Sequence, residues 1–286
     1  MTTATSDWTH RKEAVNGVRL HWVEAGSGPL VVLLHGFPEF WYSWRHQIAA
    51  LSRAGFRVVA PDLRGYNESD KPAGVRHYRL SVLVDDVAGL IRRAGESRAA
   101  VVGHDWGGLI AWQVAMRRPE VVAKLAVLNA PHPAAMQREL RWPMQWLRSW
   151  YILFFQLPWL PEWYLRSRDY AFLDQALLRP PARPGAFSAE DVAEYKRALD
   201  RPGALTATLS YYRGLFRFRR DAASYRSIAA PTLLIWGERD RYLGVRLTEG
   251  LERWVANLRV ERLPDASHWV QNDAPEQVSR LLIEFL

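Results

Sequence analysis

The stretch VVGHDWGGLI, residues 101–110, decides how the chain is read. Two valines run into Gly103, His104 and Asp105, and after Trp106 two more glycines open onto an apolar segment. The pattern predicts a buried strand, a sharp turn and the start of a helix. In the G-x-S-x-G form of such a corner, the middle residue is a serine raised as a nucleophile. Here that position holds Asp105, so the corner offers a carboxylate. Gly103, Gly107 and Gly108 carry no side chain to obstruct a tight bend. The helix that follows turns its positive end toward the carboxylate and favours the ionised form.

Working outward, strand-like runs recur along the chain. Asn16-Gly17 is a hairpin signal before RLHWVEAG (19–26). There follow PLVVLLHG (29–36), FRVVAPD (56–62), AAVVGHD (99–105), AKLAVLNAP (123–131), PTLLIWGERD (231–240) and LRVERLPDASH (258–268). The stretches near 42–53, 80–94, 106–117, 245–256 and 274–286 read as helices. This alternation predicts an α/β fold, with a mostly parallel eight-stranded sheet covered on both faces. Between Pro131 and Pro231 the rhythm breaks, and no buried strand is legible. That interval carries Trp142, Trp146, Trp150, Trp159 and Trp163. Residues 133–220 are expected to form a helical cap inserted into a core domain of 1–132 and 221–286. Its tryptophan-rich surface is expected to line an apolar substrate tunnel.

Composition narrows the classes. At 286 residues and 49% hydrophobic, the chain can bury roughly three quarters of its unfolded surface. The absence of cysteine removes disulfides, thiolate metal sites and a cysteine nucleophile. The charge of +8 comes from scattered arginines whose densest group is RFRR at 217–220, not from a clustered footprint, which argues against nucleic acid. No apolar run reaches the roughly 20 residues of a membrane helix, and the N-terminus lacks a signal-peptide pattern, so the expected location is cytoplasmic. No metal or cofactor motif is present; a monomer or homodimer is expected.

Ligands of open parallel sheets bind beyond the carboxyl ends of the strands. The polar residues there are His35 to Pro38, Asp105, Asn129, Asp240 and His268. HGFPEFWYSWR (35–45), DLRGYNESDKP (62–72), GHDWGG (103–108), WGERD (236–240) and DASHW (265–269) together resemble the α/β-hydrolase superfamily, and in it the epoxide hydrolase family. The order nucleophile, acid, histidine matches that superfamily.

The resemblance implies a chemistry. Asp105 would attack an epoxide carbon and form an ester, whose carbonyl remains open to water, whereas a serine would leave an inert ether. His268, oriented by Asp240, would activate that water. Glu238 competes with Asp240, but the family's acid position favours Asp240; Asn129 stands where some relatives carry the acid, and His104 is expected to be structural. Backbone N–H groups of Phe37 and Trp106 would form the oxyanion hole. His35, Pro38 and Trp106 would contact substrate.

Two cap tyrosines would protonate the opening epoxide. Tyr151 in WYILFFQLP (150–158) and Tyr212 in SYYRG (210–214) match, with Tyr212 preferred over Tyr211 because adjacent helical residues diverge by about 100°. Ser210 and Gly214 stand where the family often has asparagine or a bulkier residue, a departure expected to alter the cap helix, which is expected to end near Gly214. The resemblance therefore implies conversion of an apolar or aromatic epoxide to a vicinal diol without a cofactor. A haloalkane dehalogenase shares the Asp-Trp pair but usually has asparagine where this chain has Phe37. A non-enzymatic ligand-binding protein would not need the intact nucleophile, acid and base.

Overall fold

The computed structural model describes residues 8–181, 183–222 and 225–286. Eight strands form one sheet: β1 (Thr9–Val15), β2 (Val18–Ala25), β3 (Leu30–Leu34), β4 (Arg57–Pro61), β5 (Ala99–His104), β6 (Val122–Leu128), β7 (Thr232–Gly237) and β8 (Leu258–Leu263). Their spatial order is β1-β2-β4-β3-β5-β6-β7-β8. The β1–β2 and β2–β4 pairings are antiparallel, and every later pairing is parallel. Asn16 and Gly17 both take positive φ, as a two-residue hairpin turn of the primed type requires, and set Val15 opposite Val18.

Strands β3, β5 and β7 are buried along their whole length, which explains their unbroken apolar runs. Alternation sends Val31 and Leu33 to one face and Val32 and Leu34 to the other. The first face packs against α1 (Arg45–Arg53) and α12 (Pro275–Phe285) through Ile48, Leu51, Val278 and Leu282. The second packs against α2 (Leu80–Arg93) and α3 (Trp106–Arg117) through Leu83, Val87, Ile110 and Val114.

Between β6 and β7 the chain is helical: α4 (Pro133–Glu139), α5 (Pro143–Arg148), α6 (Trp150–Phe154), α7 (Leu160–Leu177), α8 (Ala189–Asp200), α9 (Ala204–Arg217) and α10 (Arg219–Ala222). Helix α7 is broken at Ser167–Tyr170, where the backbone leaves helical geometry. Helix α8 starts on a capping box in which Ser188 and Asp191 satisfy each other's backbone N–H. Asp191 also ties these helices to the sheet layer, accepting from Tyr42 Oη at 2.8 Å and pairing with Arg45 at 3.1 Å. Arg213 of α9 holds the α6–α7 link, with two bonds to Glu162 and others to the Phe155 and Leu157 carbonyls. The short α11 (Val270–Asp273) precedes α12.

Three expectations need correction. The helix expected at 245–256 is only a 3-10 turn, Val245–Thr248; Gly250 takes φ 65°, and the chain turns before Val255 bridges Ile228. Helix α9 does not end near Gly214 but continues to Arg217. A Cβ at Gly214 would lie 3.1 Å from the Tyr78 carbonyl oxygen, so the glycine serves close packing. Finally, the tryptophans of the insertion face outward: Trp142, Trp146, Trp150, Trp159 and Trp163 are all exposed, and of these only Trp150 borders the cavity that contains Asp105 and His268. Trp146 and Trp150 lie on the short α5 and α6, Trp163 lies on α7, and Trp142 and Trp159 just precede α5 and α7; Gln145, Phe155 and Leu165 of the same segment fill the interior.

Candidate active site

The corner after β5 places Asp105 at φ 50° and ψ −117°, a conformation that L-residues rarely adopt. The turn is tight because glycines let the backbones touch. A Cβ on Gly103 would lie 2.2 Å from the Gly107 oxygen, and one on Gly107 would lie 2.1 Å from the Leu34 oxygen. Such strain persists where surrounding structure over-determines it, and here it lifts a carboxylate off the strand end.

Asp105 Oδ1 accepts from the Phe37 N–H at 2.8 Å. Its Oδ2 lies 3.6 Å from His268 Nε2, close enough for an ion pair but beyond a direct hydrogen bond. The other ring nitrogen, Nδ1, meets Asp240 Oδ2 at 2.7 Å. Asp240 is held from four directions. Its Oδ1 accepts from the Tyr242 and Leu243 N–H groups at 2.7 and 3.0 Å, and Oδ2 accepts from Asn129 Nδ2 at 2.8 Å as well as facing His268. Glu238 is exposed and does not take this place.

Charge follows from this geometry. Burial alone would lower the His268 pKa, but the Asp240 charge, the bond that Nδ1–H donates to Asp240 and the nearby Asp105 carboxylate outweigh it and raise it to about 10. Burial pushes Asp105 up, yet His268 and the Phe37 N–H overcome that and hold its carboxyl below the ordinary range. With Asp105 ionised, His268 is therefore an imidazolium at neutral pH.

Above the carboxylate lie Tyr151 of α6 and Tyr212 of α9, with ring centroids 6.1 Å apart. Burial and then the Asp105 charge raise both phenols well above the ordinary value, so both stay protonated. Tyr211 turns away, donating to the Arg64 carbonyl at 2.7 Å. A cavity of about 460 Å³ is bordered by Asp105, His268, both tyrosines, Phe37 and Pro38. A second, of about 380 Å³, shares Asp105, Tyr151 and Tyr212 and extends past Trp106, Leu109 and Met136. Asp105 thus stands where two apolar chambers meet.

Not every expected residue reaches the cavity. His35 is wholly buried: Nε2 accepts from the Leu63 N–H at 3.0 Å, so Nδ1 carries the proton and donates to the Gly36 carbonyl at 2.9 Å. It braces the loop after β3 and cannot contact substrate as expected. Trp106 borders the second cavity and packs edge-on against Tyr212 at 4.9 Å; its N–H is not among the described donors to Asp105.

The sequence reading missed Glu39. Its Oε2 faces His104 Nδ1 at 2.7 Å, and its Oε1 accepts from Gln271 at 3.0 Å. His104 Nε2 faces the His268 carbonyl at 2.8 Å and so donates to it. The pair fixes the backbone that carries His268. A carboxylate just past the HGFP turn was the available signal. Among the described residues, no cluster of three or more His, Asp or Glu side chains could hold a metal ion.

A carboxylate nucleophile at a sheet corner, with a histidine-acid pair and an overhanging helical insertion, defines a hydrolase built on an α/β sheet. The family model of the alpha/beta hydrolase fold matches residues 29–275. AB hydrolase superfamily protein YfhM of Bacillus subtilis is 47% identical, over 95% of this chain and 95% of its own length. Epoxide hydrolase 3 of Xenopus tropicalis is 42% identical, over 95% of this chain and 75% of its own. The crystal structure of a mutant epoxide hydrolase from Bacillus megaterium, complexed with its naphthyloxy-propanediol product, superposes with a TM-score of 0.89 at 37% identity, covering 96% of this chain and 99% of that one. The chain belongs to the α/β-hydrolase superfamily and, within it, to the epoxide hydrolase family.

Proposed function

We propose that the protein hydrolyses an apolar or aromatic epoxide to a vicinal diol, with Asp105 as nucleophile and residues 133–220 as the cap that supplies the acid. The observation that carries this reading is the sharing of one cavity by Asp105, His268 and the two phenols. A carboxylate can attack an sp³ carbon, and a phenol can protonate the oxygen that leaves it. The apolar walls of both chambers, and the aryl ether product bound by the Bacillus megaterium relative, support an apolar or aromatic substituent.

In the first step an Asp105 oxygen bonds to a ring carbon, the carbon–oxygen bond of the ring breaks, and the new alkoxide takes a proton from Tyr151 or Tyr212. Esterification removes the Asp105 charge and with it part of what holds the proton on His268. The imidazolium proton then replaces, in net, the one that the phenol gave up. His268 becomes neutral only once there is an ester to hydrolyse.

In the second step neutral His268 takes a proton from water as the water oxygen attacks the Asp105 carbonyl carbon. The Phe37 N–H donates to the developing oxyanion; losing such a donor typically costs about 10² to 10³ in rate. Collapse expels the diol, whose oxygen receives the proton from His268. The new carboxyl proton of Asp105 passes to the imidazole and restores the starting ion pair.

Exchanging His268→Gln removes the base of the second step and spares the nucleophile. Incubated with styrene oxide, this variant should gain the mass of one substrate on a peptide containing Asp105, as read by intact and peptide mass spectrometry. Slow turnover without any adduct on Asp105 would rule out the ester route.

A further inference from the structure

Most of the exposed large apolar side chains fall in one short part of the chain, residues 142–164. Trp159 is 75% exposed, Leu147 69%, Trp163 67% and Trp150 60%. Exposed apolar side chains so concentrated in one segment mark a contact with something other than water. Leu147, Trp150 and Tyr164 belong both to this surface and to the rim of the larger active-site cavity, so the patch surrounds a mouth.

Cations accompany it. From residue 140 to 168 the charged side chains are Arg141, Arg148, Arg166 and Arg168 against Glu162, and Glu162 is bound twice by Arg213, at 2.7 and 3.0 Å. Asp169, just beyond, is paired with Lys196 at 3.1 Å. The Arg246 guanidinium, paired with Glu139 at 3.4 Å, lies 5.6 Å from the centre of the Trp142 ring. Exposed tryptophan in a segment where arginine outnumbers carboxylate is the composition that settles at the boundary between lipid headgroups and acyl chains.

We propose that this face docks on the surface of an anionic lipid bilayer, with the tryptophans entering the headgroup layer and the arginines meeting lipid phosphates. No helix among the described residues is long and apolar enough to cross a membrane; the contact is peripheral. The chain's excess of positive charge favours such a surface. A second protein copy seated here would cover the cavity mouth at Leu147, Trp150 and Tyr164. A bilayer would instead bring the mouth to the phase in which apolar epoxides dissolve, a benefit that rests on the catalytic reading given above.

The test uses the full chain and no substrate, so it is independent of that reading. Sucrose-loaded vesicles of phosphatidylcholine, with and without phosphatidylglycerol, are sedimented with the protein at low salt. The protein should pellet with the anionic vesicles, shift its tryptophan emission to the blue, and be released by added salt. The double variant Trp159→Asn, Trp163→Gln, changed at residues outside the cavity wall, should pellet about tenfold less while keeping the wild-type circular dichroism spectrum and melting temperature as proof of folding. Asparagine tolerates the left-handed φ of 49° at position 159. Failure to pellet with anionic vesicles, or equal pelleting of the variant, would overturn the proposal. So would a wild-type dimer that the variant converts to a monomer without any vesicle binding, which would assign the face to a second copy.

Discussion

His268 lies between two carboxylates, and only Asp240 keeps its charge throughout the catalytic cycle proposed here. The resting ion pair has a thermodynamic signature. The folded-state pKa of about 10 exceeds the ordinary 6.5, so the proton on His268 stabilises the fold fully below pH 6.5, and that contribution is lost as pH rises toward 10. Thermal melts across this window should fall more steeply for the wild type than for His268→Gln; parallel curves would mean the imidazole is not charged at rest. The tyrosines carry a different expectation. Changing both Tyr151 and Tyr212 to phenylalanine should lower the rate of Asp105 alkylation by about 10² to 10⁴ in single-turnover measurements, with the melting temperature nearly unchanged. A wild-type rate would reduce both rings to packing. Asp105, Asp240 and His268 were legible because each follows a strand end, where the fold forces side chains toward one edge. His35 shares that location and misled for the same reason: the strand end sets a residue's position, but its ring nitrogens were claimed by backbone groups that no local pattern reveals. Glu39 was illegible because its partners, His104 and Gln271, are remote in sequence.

At the scale of single elements, α4 begins on a histidine. His132 Nδ1 accepts from the Ala134 N–H at 3.2 Å, and its ring lies between Trp112 and Trp254 at 5.2 and 5.8 Å. Capping requires the neutral ring, and burial lowers the His132 pKa to about 4. The unfolded chain therefore binds a proton that the native one refuses, and stability should fall as pH drops from 6.5 toward 4. The loss from this residue is on the order of 3 kcal/mol. His132→Asn keeps a capping oxygen; it should be less stable at neutral pH, for want of the ring contacts, yet lose less across that acid window. Urea denaturation at both ends of the window distinguishes the two slopes, and equal slopes would remove His132 as the source. The element types were largely readable from periodicity. The exception, 245–256, has a helical pattern of apolar residues, but Gly250 with its positive φ and the bridge from Val255 to Ile228 took precedence. Tertiary pairing outweighed local preference there.

Across the whole molecule, the layered sheet was legible because parallel strands buried on both faces leave runs such as LVVLL and TLLIWG. The insertion was legible as an interruption of that rhythm, but its orientation was not. Helices as short as α5 and α6 have too few turns to declare which side is interior, so their tryptophans were assigned to the inside when most point out. The junction of two chambers at Asp105 was equally hidden, since it arises from packing between β3, α3, α6 and α9. That junction has a stereochemical consequence. A ring whose substituent can lie to either side of the nucleophile can be approached at either of its carbons, so mirror-image substrates need not be told apart by exclusion. They can be sorted by which carbon is opened, and from a racemate the two routes would converge on diol of one handedness.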